Sequence, residues 1–405
     1  MLLKLAFRNA WRNVSRTLFT ASTVVLGTAL LTVALAWMDG VFGQVARTSA
    51  RFGGEVRVVT PVWAEKEALM PLADAIEDSG PLIDAVQALG ARAYPRVLLP
   101  VTLGAGDELG EVFGLAIGAP LAWFEDELEL SQYVVAGEGE LGEGDKSALL
   151  GRTLAERIGV GPGDELMLLG QTRDGAMSPM RLEVRGVLSG GNQLVDQGVF
   201  FGLADARWMA DLEDGAAEVL IYGGGPDAAG ALAARVATLP EVVGLEVQAW
   251  DAREPMKGLL SISAVVQGVI SGFVVFLCAL AVWNTMTMSV LERTGEIGVL
   301  RAMGLGRAGV VLLFVAEGVG IAVLGGLVGV ALGSSGALYL QIVGVELGDK
   351  VSQNTPLPLS TTMHAELSVG LVVASFLLGV AMALVGTAAP ALRAAYIQPV
   401  DAMRR

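Results

Sequence analysis

Cysteine and histidine are all but missing: Cys278 and His364 are the only ones in 405 residues. An internal disulfide is therefore impossible, so any domain outside a membrane must hold together by its own apolar core, whatever the redox state around it. A metal site built from several His or Cys ligands is out of reach. A His-based catalytic triad would have to use His364, which lies beside an apolar run with no nucleophile pattern near it and reads as a solvated loop residue. The chain also lacks Gly-x-x-x-x-Gly-Lys-Ser/Thr. Its one glycine run, Gly223 to Gly225 before Pro226, has no lysine, so ATP is not held here by a phosphate-binding loop of that kind. Clustered acids such as Glu125, Asp126 and Glu127 have no partner pattern and read as solvated surface.

Charge, too, is missing over long stretches. Thr17–Met38, Gly258–Leu291, residues 308–334 and residues 367–392 are apolar runs with almost no ionisable group. Each exceeds the ~20 residues that a bilayer-spanning helix needs. Hydrophobic residues make up 53% of the chain, high for a soluble protein. The composition predicts an integral membrane protein with four α-helical spans, Pro390 ending the last one early. The second run, 34 residues long, would measure roughly 51 Å as a helix against a hydrocarbon core of ~30 Å. Its first turns, with Ser261, Ser263 and Gln267, read as an extension beyond the bilayer.

What charge there is divides unevenly. The net value is −15, yet residues 1–16, 292–307 and 393–405 hold ten Lys/Arg against three acids, a balance of +7, while residues 39–257 carry −19. Positive residues next to span ends mark the cytoplasmic side. Both termini and the 292–307 stretch are expected inside, and residues 39–257 and 335–366 outside. An even number of spans agrees with that. So acidic an outer domain excludes nucleic acid as an expected partner, since a polyanion needs a positive face.

Along the chain, Lys4, Arg8, Arg12 and Arg16 recur every four residues beside a stripe of Leu3, Phe7, Trp11 and Val14, the pattern of an interfacial helix on membrane lipids. Ala34-Leu35-Ala36 imitates a signal cleavage site, but the apolar run of 22 residues is too long for a signal core and reads as a retained anchor. From Gly40 to about Trp250 short β-rich runs alternate with helical ones. Strands are expected at 55–60, 96–103, 112–117, 165–169, 181–188, 199–202, 218–222 and 245–250, and helices at 81–89, 147–158, 203–212 and 227–239. Gly137–Asp145 reads as an exposed loop. Some two hundred residues suffice for an α+β core of one or two subdomains.

Between the second and third runs lies a short charged bridge, Glu292 to Gly304. Ile297, Leu300 and Met303, at three-residue spacing, are expected on one face with Glu296 and Arg301 pointing elsewhere, and Gly304 and Gly306 serve as stop signals. This predicts an amphipathic helix lying across a membrane face. Glu-Ile-Gly-x-x-Arg-Ala-Met-Gly over 296–304, followed by Arg307 and a span containing Glu317, resembles the core of the FtsX/MacB/LolC-LolE permeases of ABC transporters. Residues 149–155, the turn 161–164, 184–187 and 203–206 are similar to the outer domain of the LolC/LolE-type lipoprotein-releasing members.

That resemblance implies an architecture: a cytoplasmic amphipathic helix (1–16), spans at 17–38, 258–291, 308–334 and 367–389, a periplasmic α+β domain (39–257) inserted between helices 1 and 2, a coupling helix (292–307), a periplasmic loop (335–366) and a cytoplasmic tail (390–405), all in the inner membrane. It implies that Glu292, Arg293, Glu296, Ile297, Gly298, Leu300, Arg301, Met303 and Gly304 serve the coupling helix, which seats on a separate ABC ATPase subunit. ATP and Mg then belong to that subunit, with no cofactor on this chain. A dimer with a second permease, identical or related, follows from having only four spans, and the expected substrate is a lipoprotein or other amphiphile, with a periplasmic carrier or adaptor as a further partner. The alternatives are a MacB-like exporter and an FtsX-like transmitter that regulates a cell-envelope hydrolase.

Three further groups stand out. Glu317 is the one acid inside a span, expected either to contact a neighbouring helix or to reach the headgroups near Arg307. Gly325, Gly329 and Gly333 form a small-residue seam for close helix packing, expected within the chain, with a subunit interface as the alternative. Asn284 and Gln267 are polar residues of the second run that could bond across helices.

Overall fold

The computed structural model describes residues 14–106, 112–190, 192–346 and 362–397. The N-terminal amphipathic stripe over residues 1–13 and the tail from residue 398 lie outside the described residues. The chain divides into two compact units, one built from residues up to 43, 261–345 and from 363 onward, the other centred on 44–260.

Among the described residues, four helices are long and apolar enough to cross a membrane: Val14–Gly53, Met256–Glu292, Arg307–Val343 and Val369–Ala395. The first and third run well past the apolar stretches read from the sequence, while the second matches its stretch to within two residues. Hydropathy marks where a helix would leave hydrocarbon, and a charged residue such as Asp39 or Arg47 does not end it. The first helix continues past Met38 to Gly53, where Val45 and Ala50 join the apolar core of the second unit. The third persists to Val343, so residues 335–343, the first part of the expected 335–366 loop, are helix. Pro390 does not end the fourth helix, which runs on to Ala395. Proline costs a backbone bond, but packing in a helical membrane unit offsets it. Pro390 is buried, and Ala391, Ala394 and Ala395 beyond it pack onto Val310 and Phe314.

Glycines set the closest approaches inside this unit. A Cβ on Gly329 would lie 2.7 Å from the Val25 carbonyl oxygen and 2.8 Å from Thr28 Cβ, and one on Gly333 would lie 2.7 Å from Thr32 Cβ. Gly325 meets Val24 on the same helix at 3.1 Å. The seam therefore packs on the first long helix, within one chain, rather than being reserved for a second subunit. Gly326, on another side, faces Phe376 of the fourth helix at 3.2 Å.

The second unit is a ten-stranded mixed sheet. Its strands are β1 (Val56–Val59), β2 (Arg92–Ala105), β3 (Val112–Ala119), β4 (Val134–Gly137), β5 (Ser147–Gly151), β6 (Glu165–Gln171), β7 (Met177–Leu188), β8 (Gly198–Gly202), β9 (Glu218–Tyr222) and β10 (Glu246–Ala249). The order is β10-β1-β9-β2-β3-β8-β5-β7-β4, with β6 paired to both β2 and β7. The 14-residue β2 joins two halves: residues 92–96 pair with β9, and residues 97–105 with β3 and β6. Along β7 the side chains of residues 177–184 alternate exposed and buried, the period-two pattern of a half-covered strand. One face of the β3-β8-β5-β7 half buries Leu99, Leu103, Leu150, Leu168, Leu182 and Phe201. A second cluster gathers Trp63, Trp123, Phe124, Leu128 and Phe200.

Seven of the eight expected strands agree with the structure to within a few residues at most ends, and Arg181–Leu188 is the end of a longer β7. The expected helix over 147–158 is wrong in its first half. Ser147–Gly151 is β5, and the helix occupies only Arg152–Ile158, closed by Gly159 at φ 79°. All five β5 residues are buried between β7 and β8, so tertiary pairing overrides a sequence that reads equally well as helix.

Candidate functional site

The charged bridge forms a helix, Thr294–Ala302, entered through Arg293 and left through Met303. Arg293 is the single non-helical residue between it and the second long helix. Its N–H still bonds the Ser289 carbonyl at 3.2 Å, and its own carbonyl accepts from Ile297 at 3.0 Å, so the chain bends there without losing its hydrogen-bond ladder. Gly304, at φ 100°, supplies the backbone that stops the helix, and Gly306 in extended conformation caps the next.

Arg293, Ile297 and Arg301, four residues apart, form the row that faces the rest of the unit. Ile297 packs with Val290, Val310, Phe314 and Ala394. The Arg301 guanidinium donates to the Ile397 carbonyl. Arg293 Nη1 donates to Glu317 Oε2 at 2.9 Å, with both side chains buried. The expected face of Ile297, Leu300 and Met303 is thus corrected. Met303 is 72% exposed, Leu300 is half-buried, and Arg301 turns inward. A nine-residue helix offers rows at both three and four residues, and here the inward row is chosen by carbonyl and carboxylate acceptors on other helices. Glu292, Glu296, Val299, Met303 and Gly304 remain exposed along the opposite edge, while Gly298 is buried.

Glu317 is buried against a neighbouring helix, the first of its two expected placements. It lies beside Thr17 and Thr20 of the first helix and Thr285 and Ser289 of the second, which with Arg293 and Ile321 line a small, partly open recess of about 10 Å³, room for roughly a single water. The pairing with Arg293 was the part that sequence reasoning missed. Its signal is a lone acid inside one span and an arginine at the end of the preceding one. Nearby, Arg307 stacks over the Tyr396 ring at 4.9 Å. Of the other polar residues singled out, Gln267 donates to Asp39 of the first helix at 2.9 Å, whereas Asn284 is exposed. His364, expected to be solvated, sits half-buried with Nδ1 2.9 Å from the Gln341 carbonyl.

In the sheet-containing unit, basic residues converge on the end of the first long helix, whose last carbonyls have no partner within the helix. Arg96 donates to the Phe52 carbonyl, and Arg253 donates to those of Gly53 and Gly54 at 2.6 Å each. The Tyr222 hydroxyl bonds the Arg51 carbonyl at 2.8 Å. Cations here also oppose the negative end of the helix dipole. Glu218, fully buried, balances them: Arg96 Nη2 lies 2.6 Å from it and Arg57 Nη1 3.6 Å. Burial alone would raise the Glu218 carboxyl, but Arg96 and then Arg57 outweigh it and hold the group below the usual carboxylate range. Burial pushes the Arg253 guanidinium down to about 10. Arg57 and Arg96 also lie over the Trp63 and Trp123 rings, at 5.4 and 5.3 Å. On the same unit a groove of about 450 Å³ is lined by Leu69, Met70, Phe113, Leu169 and Met177, with Arg173 among its polar residues.

Comparison with known proteins adds two matches that together span most of the chain. The FtsX-like permease C-terminal family matches residues 268–399, and the MacB-like periplasmic core domain matches residues 17–239. The lipoprotein-releasing system transmembrane protein LolC of Xylella fastidiosa is 29% identical over 272 residues, 64% of this chain and 65% of its own length. The macrolide export ATP-binding/permease protein MacB of Bdellovibrio bacteriovorus is 34% identical over 125 residues, 31% of this chain and 17% of its own. An uncharacterized ABC transporter permease of Methanocaldococcus jannaschii, MJ1507, is 32% identical over 146 residues, 34% of each chain. The chain thus spans just under two thirds of that LolC, about a third of MJ1507 and under a fifth of that MacB. Among solved structures, the periplasmic region of MacB from Actinobacillus actinomycetemcomitans superimposes at a TM-score of 0.35 with 10% identity, covering 49% of this chain and 92% of that one.

Proposed function

The chain belongs to the FtsX/MacB-like ABC transporter permeases, and from that premise we propose that it couples a separate cytosolic ATPase to the movement or extraction of an amphiphilic envelope substrate, a lipoprotein in the first instance. In this reading the termini and the 294–302 helix face the cytoplasm, the sheet-containing unit faces the periplasm, and two permease copies act together. The observation that carries the coupling role is the two-sided build of the bridge helix. Arg293, Ile297 and Arg301 fasten one side to the membrane unit, while Glu292, Glu296, Val299 and Met303 stay exposed as a face for another protein. ATP-driven closure of a partner beneath that face would push on helices to which it is already fastened. A lipoprotein or its carrier fits the LolC likeness, and the apolar groove around Phe113 and Met177 suits an amphiphile. Macrolide-type export, as in the MacB relative, is the second reading, favoured by the match of the MacB-like core domain over 17–239.

The test is assembly with the cognate ATPase. Glu296→Arg reverses a charge on the exposed edge, and loss of a buried interfacial pair costs roughly 2–5 kcal/mol. Copurification of the ATPase should fall sharply in that variant and persist with Glu140→Arg, an exposed change in the sheet-containing unit. Equal copurification in both would remove the coupling role from this face.

A further inference from the structure

The Arg293–Glu317 pair joins the bend before the bridge helix to the third long helix. A buried ion pair is weak support for stability, because desolvation offsets most of its attraction and well-packed apolar side chains often serve as well. An ionisable group inside a membrane span is costlier still and points to function by default. The position of this pair gives it something specific to do. Arg293 is the one residue between the second long helix and the bridge helix, and its side chain is buried against Glu317 at 2.9 Å. Thr20 and Ser289, both buried, close over it from the first and second helices. Each of the two side chains is only 7% exposed, so bulk solvent screens the pair far less than it would an exposed one.

We infer that Glu317 and Arg293 are positioning residues that lock the bridge helix to the third membrane helix, so that a displacement of one by the ATPase is delivered to the other. This rests on the coupling role proposed above. Swinging the bridge helix about Arg293 alone would strand two buried charges, whereas moving it together with the third helix leaves the pair intact. The low-cost motion is therefore the concerted one.

The test uses the full chain with Cys278→Ala, spin labels at Ala302 and Leu312, both exposed and off the edge that receives the ATPase, and the double variant Arg293→Met/Glu317→Met. Two apolar side chains of similar length should fold and melt like the parent. The parent should show one narrow label-to-label distance, unchanged by ATP and vanadate in complex with the ATPase. The double variant should show a broadened or nucleotide-shifted distance, and its complex in phosphatidylethanolamine/phosphatidylglycerol vesicles should lose the permease-dependent part of ATP hydrolysis roughly 5-fold or more, the low end of ordinary coupling. Arg293→Lys, which keeps the charge, should restore the narrow distance. Glu317→Gln alone should lower the melting temperature by leaving a buried guanidinium. A double variant with the parent's distance and hydrolysis would overturn the lock and reduce the pair to packing. If the ATPase fails to bind even the parent, the coupling role fails instead. The nucleotide-free distances, narrow in the parent and broad in the double variant, still judge the lock on their own.

Discussion

Gly329→Leu puts the packing of the membrane unit at risk at one identifiable point. A Cβ there would stand 2.7 Å from the Val25 carbonyl oxygen and 2.8 Å from Thr28 Cβ. Non-bonded carbons prefer about 3.5–4.0 Å, so the first and third helices would have to separate by something near 1 Å before the rest of the leucine is placed. The close contacts at Gly325 and Gly333 lie one turn away on either side and would loosen with it. Overpacking of this kind costs roughly 1–3 kcal/mol, and a rigid backbone oxygen as neighbour places the effect at the upper end. The internal control is Gly320→Leu on the same helix. Nothing lies within 4 Å of a Cβ there, and replacing a helical glycine gains up to about 1 kcal/mol in helix propensity. Thermal melting of the detergent-purified variants, with membrane insertion checked by fractionation, should show Gly329→Leu destabilised and Gly320→Leu at or above the parent. Equal melting of the two would refute the seam as a packing contact.

Two further outcomes follow from the charges. Because Arg96 and Arg57 hold the Glu218 carboxyl below its unfolded value of 4.5, its contribution is fully present above that pH and is lost as pH falls through the lower folded value. The melting temperature should therefore drop below about pH 4.5, and Glu218→Gln should be less stable at neutral pH with a flatter acid limb. A parent-like acid limb in that variant would mean other carboxylates govern it. For topology, an impermeant thiol reagent on spheroplasts of the Cys278→Ala chain should label Glu140→Cys and spare Glu296→Cys. The reversed pattern would invert the orientation given above.

Much of this was legible before any coordinates. The four membrane helices follow from runs without charge, and the strands from β-branched stretches between glycine turns, because both signals are local. What the sequence hid is what depends on partners distant along the chain. Ser147–Gly151 could be helix or strand until β7 and β8 flank it. Pro390 looked like an end because the packing that tolerates it comes from Val310 and Phe314. Arg301 reads as pointing away from the apolar face, and Arg293 has no evident partner in sequence; only the placement of the Ile397 carbonyl and of Glu317 turns them in. The arginines around Glu218 come from β1, β2 and the loop after β10, segments with no shared motif. Asp145, which reads as plain loop, accepts the Ser147 N–H at 3.0 Å at the start of β5.

The central claim is that the exposed edge of the 294–302 helix receives the ATPase. A photo-crosslinking amino acid at Met303, 72% exposed, and another at Ile297, 3% exposed, address it within one helix. Irradiation of membranes holding both proteins should give a permease–ATPase adduct from position 303 and none from position 297. An adduct from position 297, or none from position 303 while the complex copurifies, would contradict the account.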